Sequence, residues 1–275
     1  MKLSMWSTFY YFSPEEAMAE FVKHGYYACE LSDEHGQALI DRGDAKTEGR
    51  KFKEYCDSIG MQVLQGHLNL RTKLCREGDT DILINWLDLF EACGVKNAVL
   101  HLDNLNERDL TNDEKRAENL KALRKLVEHI KGKDIKIALE NMEAFPSTID
   151  DLLWFIDELG DENLSICLDT GHLNISENPD PRDFILRAGK HLHALHVHDN
   201  NGKADRHLFP FNTFGALAVE RSGNVNWKAF AEALKEIGYN DLFNYEVPAE
   251  RICPKEILDM RLEYAKGVFE YILSL

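Results

Sequence analysis

Six short apolar stretches of this chain each stop on a histidine or a carboxylate: MQVLQGH at His67, NAVLH at His101, IKIALE at Glu140, LSICLD at Asp169, LHALH at His196 and LFNYE at Glu246. Imidazoles and carboxylates bind divalent cations and move protons. Three carboxylates gathered in a buried place would cost several kcal/mol or would protonate. A cation among them removes that cost. The set Glu140, Asp169, His196 and Glu246 suits Mn²⁺ and Zn²⁺ foremost, with Mg²⁺ or Co²⁺ as further candidates. His172, two residues beyond the sixth segment's DT in CLDTGHLN, and the loop pair Asp205 and His207 in DRH offer more donors. So do His67 and His101, as second-cation ligands or as hydroxyl contacts.

Such residues work together only if the chain carries them to one place. A β-rich run, a turn and a stretch with apolar residues at helical spacing alternate about eight times. Ser13-Pro14 reads as a helix start and Gly25 as its end, and Gly60 and Gly94 close two later helices. Leu120, Leu123, Val127 and Ile130 mark a strong 3.6-residue pattern. Eight such units predict an α/β fold, a (β/α)₈ TIM barrel forming one domain over residues 1–275, whose strand ends meet at one mouth. A dinucleotide-binding sheet would carry a glycine-rich fingerprint after its first strand, and none is there. Strand alternation puts Ala138 below Glu140, Cys167 below Asp169 and Ala194 below His196, so these acids and His196 point into the barrel.

Composition narrows the partners. Hydrophobic residues make up 44% and charged residues 29%, enough for a sizeable core. The formal net charge of −16 repels nucleic-acid backbones and anionic surfaces overall. The six scattered cysteines lack any CxxC pair and read as reduced thiols, and no apolar run approaches membrane-spanning length. A cytoplasmic protein follows, with no membrane partner and nucleic acid disfavoured. A homo-oligomer is compatible with the barrel. Trp6 is expected to wall an apolar side of a pocket, Glu30 and Arg206 to touch substrate, and Lys203, Arg221 and Arg251 to lie in loops near the mouth. His24, His35, His129 and His191 are expected at the surface or at helix ends, and His193 towards the helices. His198 stays ambiguous.

The segments ALENM, CLDTGHLN, LHVHDN, DRH, SGNVNW and NYEVP, with the QGH and LHLDN histidines, resemble the xylose isomerase-like barrels in order and spacing over most of the chain. That superfamily includes sugar phosphate isomerases and epimerases and also endonuclease IV. The resemblance implies a metal held by Glu140, Asp169, His196 and Glu246. It implies an isomerase, either an aldose–ketose isomerase or a ketose 3-epimerase, acting on a sugar or sugar phosphate in carbohydrate metabolism. Chemistry would run through a metal-stabilised cis-enediolate, with Glu140 and Glu246 as the catalytic acid/base pair. The same positions are similar to the multi-zinc endonuclease pattern. There His67, His101 and Glu140 would hold one ion, and His172, Asp205 and His207 another. A phosphodiesterase acting on abasic DNA, a hydrolase, is therefore the alternative. The segments LSMWSTF and CLDTGH depart from that nuclease's GxHxS-type and CLDTCH segments.

Overall fold

The computed structural model describes residues 1–211, 225–248 and 252–275. Eight strands alternate with helices in chain order: β1 (Lys2–Met5), β2 (Ala28–Leu31), β3 (Gln62–His67), β4 (Asn97–Leu100), β5 (Lys136–Glu140), β6 (Leu164–Asp169), β7 (Leu192–His196) and β8 (Leu242–Tyr245). All the pairings between them are parallel, β2 through β7 in sequence and β1 with β8. Single parallel bridges, Trp6 with Glu30 and Val197 with Tyr245, join the two sheets and close the barrel. The (β/α)₈ expectation is met.

Ten α-helices are described: α1 (Pro14–Lys23), α2 (Asp33–Ile40), α3 (Ala45–Ile59), α4 (Asp79–Cys93), α5 (Asn112–Ile130), α6 (Ile149–Leu159), α7 (Thr170–Ile175), α8 (Pro181–Ala188), α9 (Trp227–Ile237) and α10 (Lys255–Ser274). Local chemistry sets their ends. Ser13 caps α1 through a capping box with Glu16, Pro14 takes the first turn, and Gly60 and Gly94 close α3 and α4 in the left-handed region. Gly78, rather than Asp79 or Thr80, precedes α4 as its N-cap. Two short helices, α2 and α7, follow β2 and β6 directly and were not expected.

The hydrophobic core occupies two layers. The larger lies between the strands and the helices, with Trp86, Phe90, Phe155, Phe184 and Phe230 among its buried residues. The smaller is inside the barrel, where Val99, Ala138, Cys167 and Ala194 form a closed set with no exposed surface. These are the residues one pleat below His101, Glu140, Asp169 and His196. A floor of small apolar side chains thus supports the polar ring above it.

Candidate metal centre and barrel-mouth site

The strand ends converge as the alternation predicts. Donor atoms of Glu140, Asp169, His196 and Glu246 all lie within 4.8 Å of one another, and all four residues are buried. His196 Nδ1 sits 3.1 Å from Glu140 Oε1, 3.3 Å from Glu246 Oε2 and 3.9 Å from Asp169 Oδ2. Both His196 Nδ1 and Glu246 Oε2 are buried without a hydrogen-bond partner. Orphaned buried donors and acceptors are rare because each costs about 1–3 kcal/mol. Here they face each other across one small space, as a cation's ligands would. The residues present therefore fit a bound divalent ion.

Glu140 divides its two oxygens between neighbouring groups. Oε1 faces His196 and also lies 3.3 Å from His172 Nδ1. Oε2 lies 2.9 Å from His101 Nε2 and 3.4 Å from His67 Nε2. His67, His101 and Glu140 thus form a second group with metal-ligand spacing. His67 donates its Nδ1 proton to the Leu68 carbonyl at 2.7 Å, which leaves Nε2 turned to the site. A third group forms around Asp205. His207 Nε2 is 2.9 Å and His172 Nε2 3.3 Å from Asp205 Oδ2, while each ring's Nδ1 donates to a backbone carbonyl, of Glu246 and Asn141 respectively. His198 joins Asp205 and His207 within ligand spacing.

Burial and neighbours push the two glutamates apart. Burial pushes the Glu246 carboxyl up to about 8, against the pull of His196 and His207. Burial also acts on Glu140, but the facing His196 and His101 rings outweigh it and hold that carboxyl well below the usual range. Asp169 is held low too, its burial overcome by His172 and His198. His172 is raised to about 12 by Asp169 and Asp205 despite its burial, and His207 to about 10, where Glu246 and Asp205 outweigh burial. Burial and neighbours thus drive the two glutamates in opposite directions, Glu140 towards the carboxylate and Glu246 towards the acid.

Beside this centre lies a cavity of about 250 Å³, lined by His67, His101, Asn69, Asp103, Asn104 and Glu143 among others. Its size and polar lining match a small hydroxylated molecule. Trp6 is buried and stands edge-on to the His67 and His196 rings, at 5.8 and 6.2 Å between centroids. Arg206 is exposed on the loop after β7.

Several expectations need correction. Glu30 has no exposed surface and lies behind His196, bonded to its Nε2, where no substrate could reach it. His35 stands at a helix end, in the first turn of α2, but is buried rather than superficial, with Ser7 Oγ and the Phe12 carbonyl 2.9 and 3.0 Å from its two ring nitrogens. His24 and His129 are partly exposed and pair with Asp259 and Asp88, and His193 pairs with Asp241. Arg221 and Arg251 lie outside the described residues.

Two further residues shape the site without having been singled out or assigned. Asn141 exchanges hydrogen bonds with the Asp169 backbone, accepting from its N–H at 2.8 Å and donating to its carbonyl at 3.1 Å, and so ties β5 to β6 beside Glu140 and Asp169. His198 Nε2 lies 2.9 Å from Asp169 Oδ2, and its ring stacks on His207 at 4.0 Å. The signal for Asn141 was its place directly after Glu140. The signal for His198 was strand alternation, which puts it on the face of Ala194 and His196, although it lies just past the end of β7.

Comparison with known proteins agrees with this fold. A family profile described as xylose isomerase-like TIM barrel matches residues 18–268. An L-ribulose 3-epimerase of Methylomonas sp. is 31% identical over 147 residues, covering 52% of this chain and 46% of its own. A D-psicose 3-epimerase of Enterocloster bolteae is 24% identical over 218 residues, covering 74% of this chain and 67% of its own. The chain spans about half the length of the curated relatives it matches first, 55% and 48%. A solved D-tagatose 3-epimerase-like protein superposes with a TM-score of 0.77 at 22% identity, over 99% of this chain and 98% of that one. Among the described residues no helix is long and apolar enough to cross a membrane. With the closed parallel barrel and a profile match over most of its length, the chain belongs to the xylose isomerase-like TIM barrel family.

Proposed function

We propose that this protein is a metal-dependent isomerase or epimerase of a small sugar or sugar phosphate, with ketose 3-epimerisation as its leading reaction. The observation that carries the reading is the buried quartet Glu140, Asp169, His196 and Glu246, with two orphaned atoms facing one another. Relatives named as ketose 3-epimerases support the substrate class. Mn²⁺ or Zn²⁺ suits this mixed donor set.

A bound cation would polarise the substrate carbonyl and offset the negative charge that develops as a neighbouring carbon loses its proton. The protein's residues do the rest. Glu140, whose two oxygens lie between His196 on one side and the His67–His101 pair on the other, is placed to take the carbon-bound proton. Glu246, whose Oε2 lies across the same small space 3.3 Å from His196 Nδ1, is placed to return one. Return to the opposite face of the same carbon inverts it and gives the epimer. Return to the adjacent carbon gives the aldose–ketose isomer. His67 and His101 face the adjoining cavity, where sugar hydroxyls would sit, and Trp6 closes one side against water. Asp169 and His196 serve as ligands. The cysteines are free thiols, in keeping with work in the cytoplasm.

Incubating Mn²⁺-loaded protein with a panel of ketoses and ketose phosphates tests the reading. Conversion of at least one to its C3 epimer or aldose is expected, and no conversion of any would overturn it. A second reading, a phosphodiesterase using several zinc ions, is favoured by the His67–His101–Glu140 and Asp205–His207 groups. Metal analysis separates the two: about one ion per chain supports the isomerase, about three the phosphodiesterase.

A further inference from the structure

We infer that Glu30 is a positioning residue that fixes His196 in the tautomer whose Nδ1 faces the metal centre. The inference rests on the metal reading above. It begins with a backbone irregularity. β2 runs in register with β3 until Cys29, which opposes Val63; Glu30 then opposes Gln65, skipping one residue. Such bulges re-aim a side chain. Here the shift accompanies a glutamate turned into the barrel with no exposed surface.

Among the described residues Glu30 has two side-chain partners, and neither is a lysine or arginine. Its Oε1 lies 2.9 Å from His196 Nε2, and its Oε2 accepts from the Asn244 amide. The direction of these bonds is set from further back. Ser4 Oγ donates to Asn244 Oδ1 at 2.7 Å, so the Asn244 amide nitrogen must face Glu30. A carboxylate offers only acceptors, so His196 must carry its proton on Nε2. The lone pair is then on Nδ1, the atom that faces Glu140, Glu246 and Asp169 and has no hydrogen-bond partner. The opposite tautomer would set an imidazole lone pair against a buried carboxylate and a proton against the cation's place. Four strands, β1, β8, β2 and β7, contribute one residue each to this relay. Carboxylate–imidazole–metal chains of this kind raise the basicity of the ligand and hold the ring's angle.

The test uses the full chain. In Zn²⁺-loaded protein labelled with ¹⁵N-histidine, long-range ¹H–¹⁵N correlation spectra should show His196 protonated at Nε2 and coordinated through Nδ1. Coordination through Nε2 overturns the inference without any variant. Glu30→Gln keeps the shape and removes the charge. Its Kd for Mn²⁺ by calorimetry should rise about 10- to 100-fold. An unchanged Kd with a lowered unfolding temperature would show a merely structural role and overturn it. Failure of the parent to take up Mn²⁺ would defeat the metal reading itself. Failure to turn over a sugar would leave both binding measurements standing.

Discussion

Gly171 lies in the first turn of α7 directly behind the site, and replacing it by alanine isolates one contact. A Cβ there would lie 1.9 Å from His198 Cε1, 2.4 Å from Nδ1 and 2.7 Å from Nε2. Ordinary contact begins near 3.4 Å, so the ring would have to withdraw by about 1.5 Å. The bond from His198 Nε2 to Asp169 Oδ2 is 2.9 Å long and would not survive that movement. Losing a hydrogen bond to a buried carboxylate costs about 1.5–3 kcal/mol, and overpacking a filled interior about 1–3 kcal/mol more. Helix propensity acts the other way, since alanine in a helix is favoured over glycine by about 1 kcal/mol. The net expectation for Gly171→Ala is a loss of about 1.5–5 kcal/mol by urea unfolding, with weakened Mn²⁺ binding because Asp169 loses a partner. His198→Ala removes the obstacle, so Gly171→Ala should cost little in that background. A Gly171→Ala protein as stable as its parent, or a double variant that loses the sum of the two single losses, would refute the reasoning.

Glu140→Gln and Glu246→Gln should each lower kcat by about 100-fold or more while the circular dichroism spectrum is kept, and a variant retaining a tenth of parental turnover would remove that residue from the acid/base pair. Metal affinity should fall as pH drops below about 8: burial keeps Glu246 protonated below that value, and ligation needs its carboxylate. Calorimetry in buffers of differing ionisation enthalpy should detect the released protons, and a buffer-independent enthalpy would contradict the prediction. His35 is lowered by burial in the folded protein, whereas its unfolded value is about 6.5, so the unfolded chain takes the proton first. Its contribution is therefore present above that value and is lost as pH falls towards the folded pKa. Urea unfolding at pH 7.5 and 5.5 should show a smaller acid loss in His35→Gln than in the parent, and equal losses would contradict it.

The fold was legible because its signals repeat. Helix ends such as Ser13-Pro14 and Gly60 act over a few residues, and the strand alternation that puts Ala138 below Glu140 needs no long-range information. α2 escaped notice because its eight residues, DEHGQALI, start directly after β2 and offer little apolar periodicity. The residues behind the site were harder still. Glu30 and His196 are 166 positions apart, and nothing local shows that a bulge will turn one onto the other. His35 looked like a surface residue because its satisfaction depends on Ser7 and Phe12, which belong to another strand's end. Residue type and strand position thus reported which side chains converge, whereas the partners that hold them depended on barrel closure.

Solvent deuterium incorporation tests the central claim most directly. Mn²⁺-loaded protein in D₂O, mixed with ketoses and followed by proton NMR, should exchange one carbon-bound hydrogen next to the carbonyl of a substrate, and both Glu140→Gln and Glu246→Gln should abolish the exchange. Full metal occupancy with no exchange in any ketose or ketose phosphate would contradict the account.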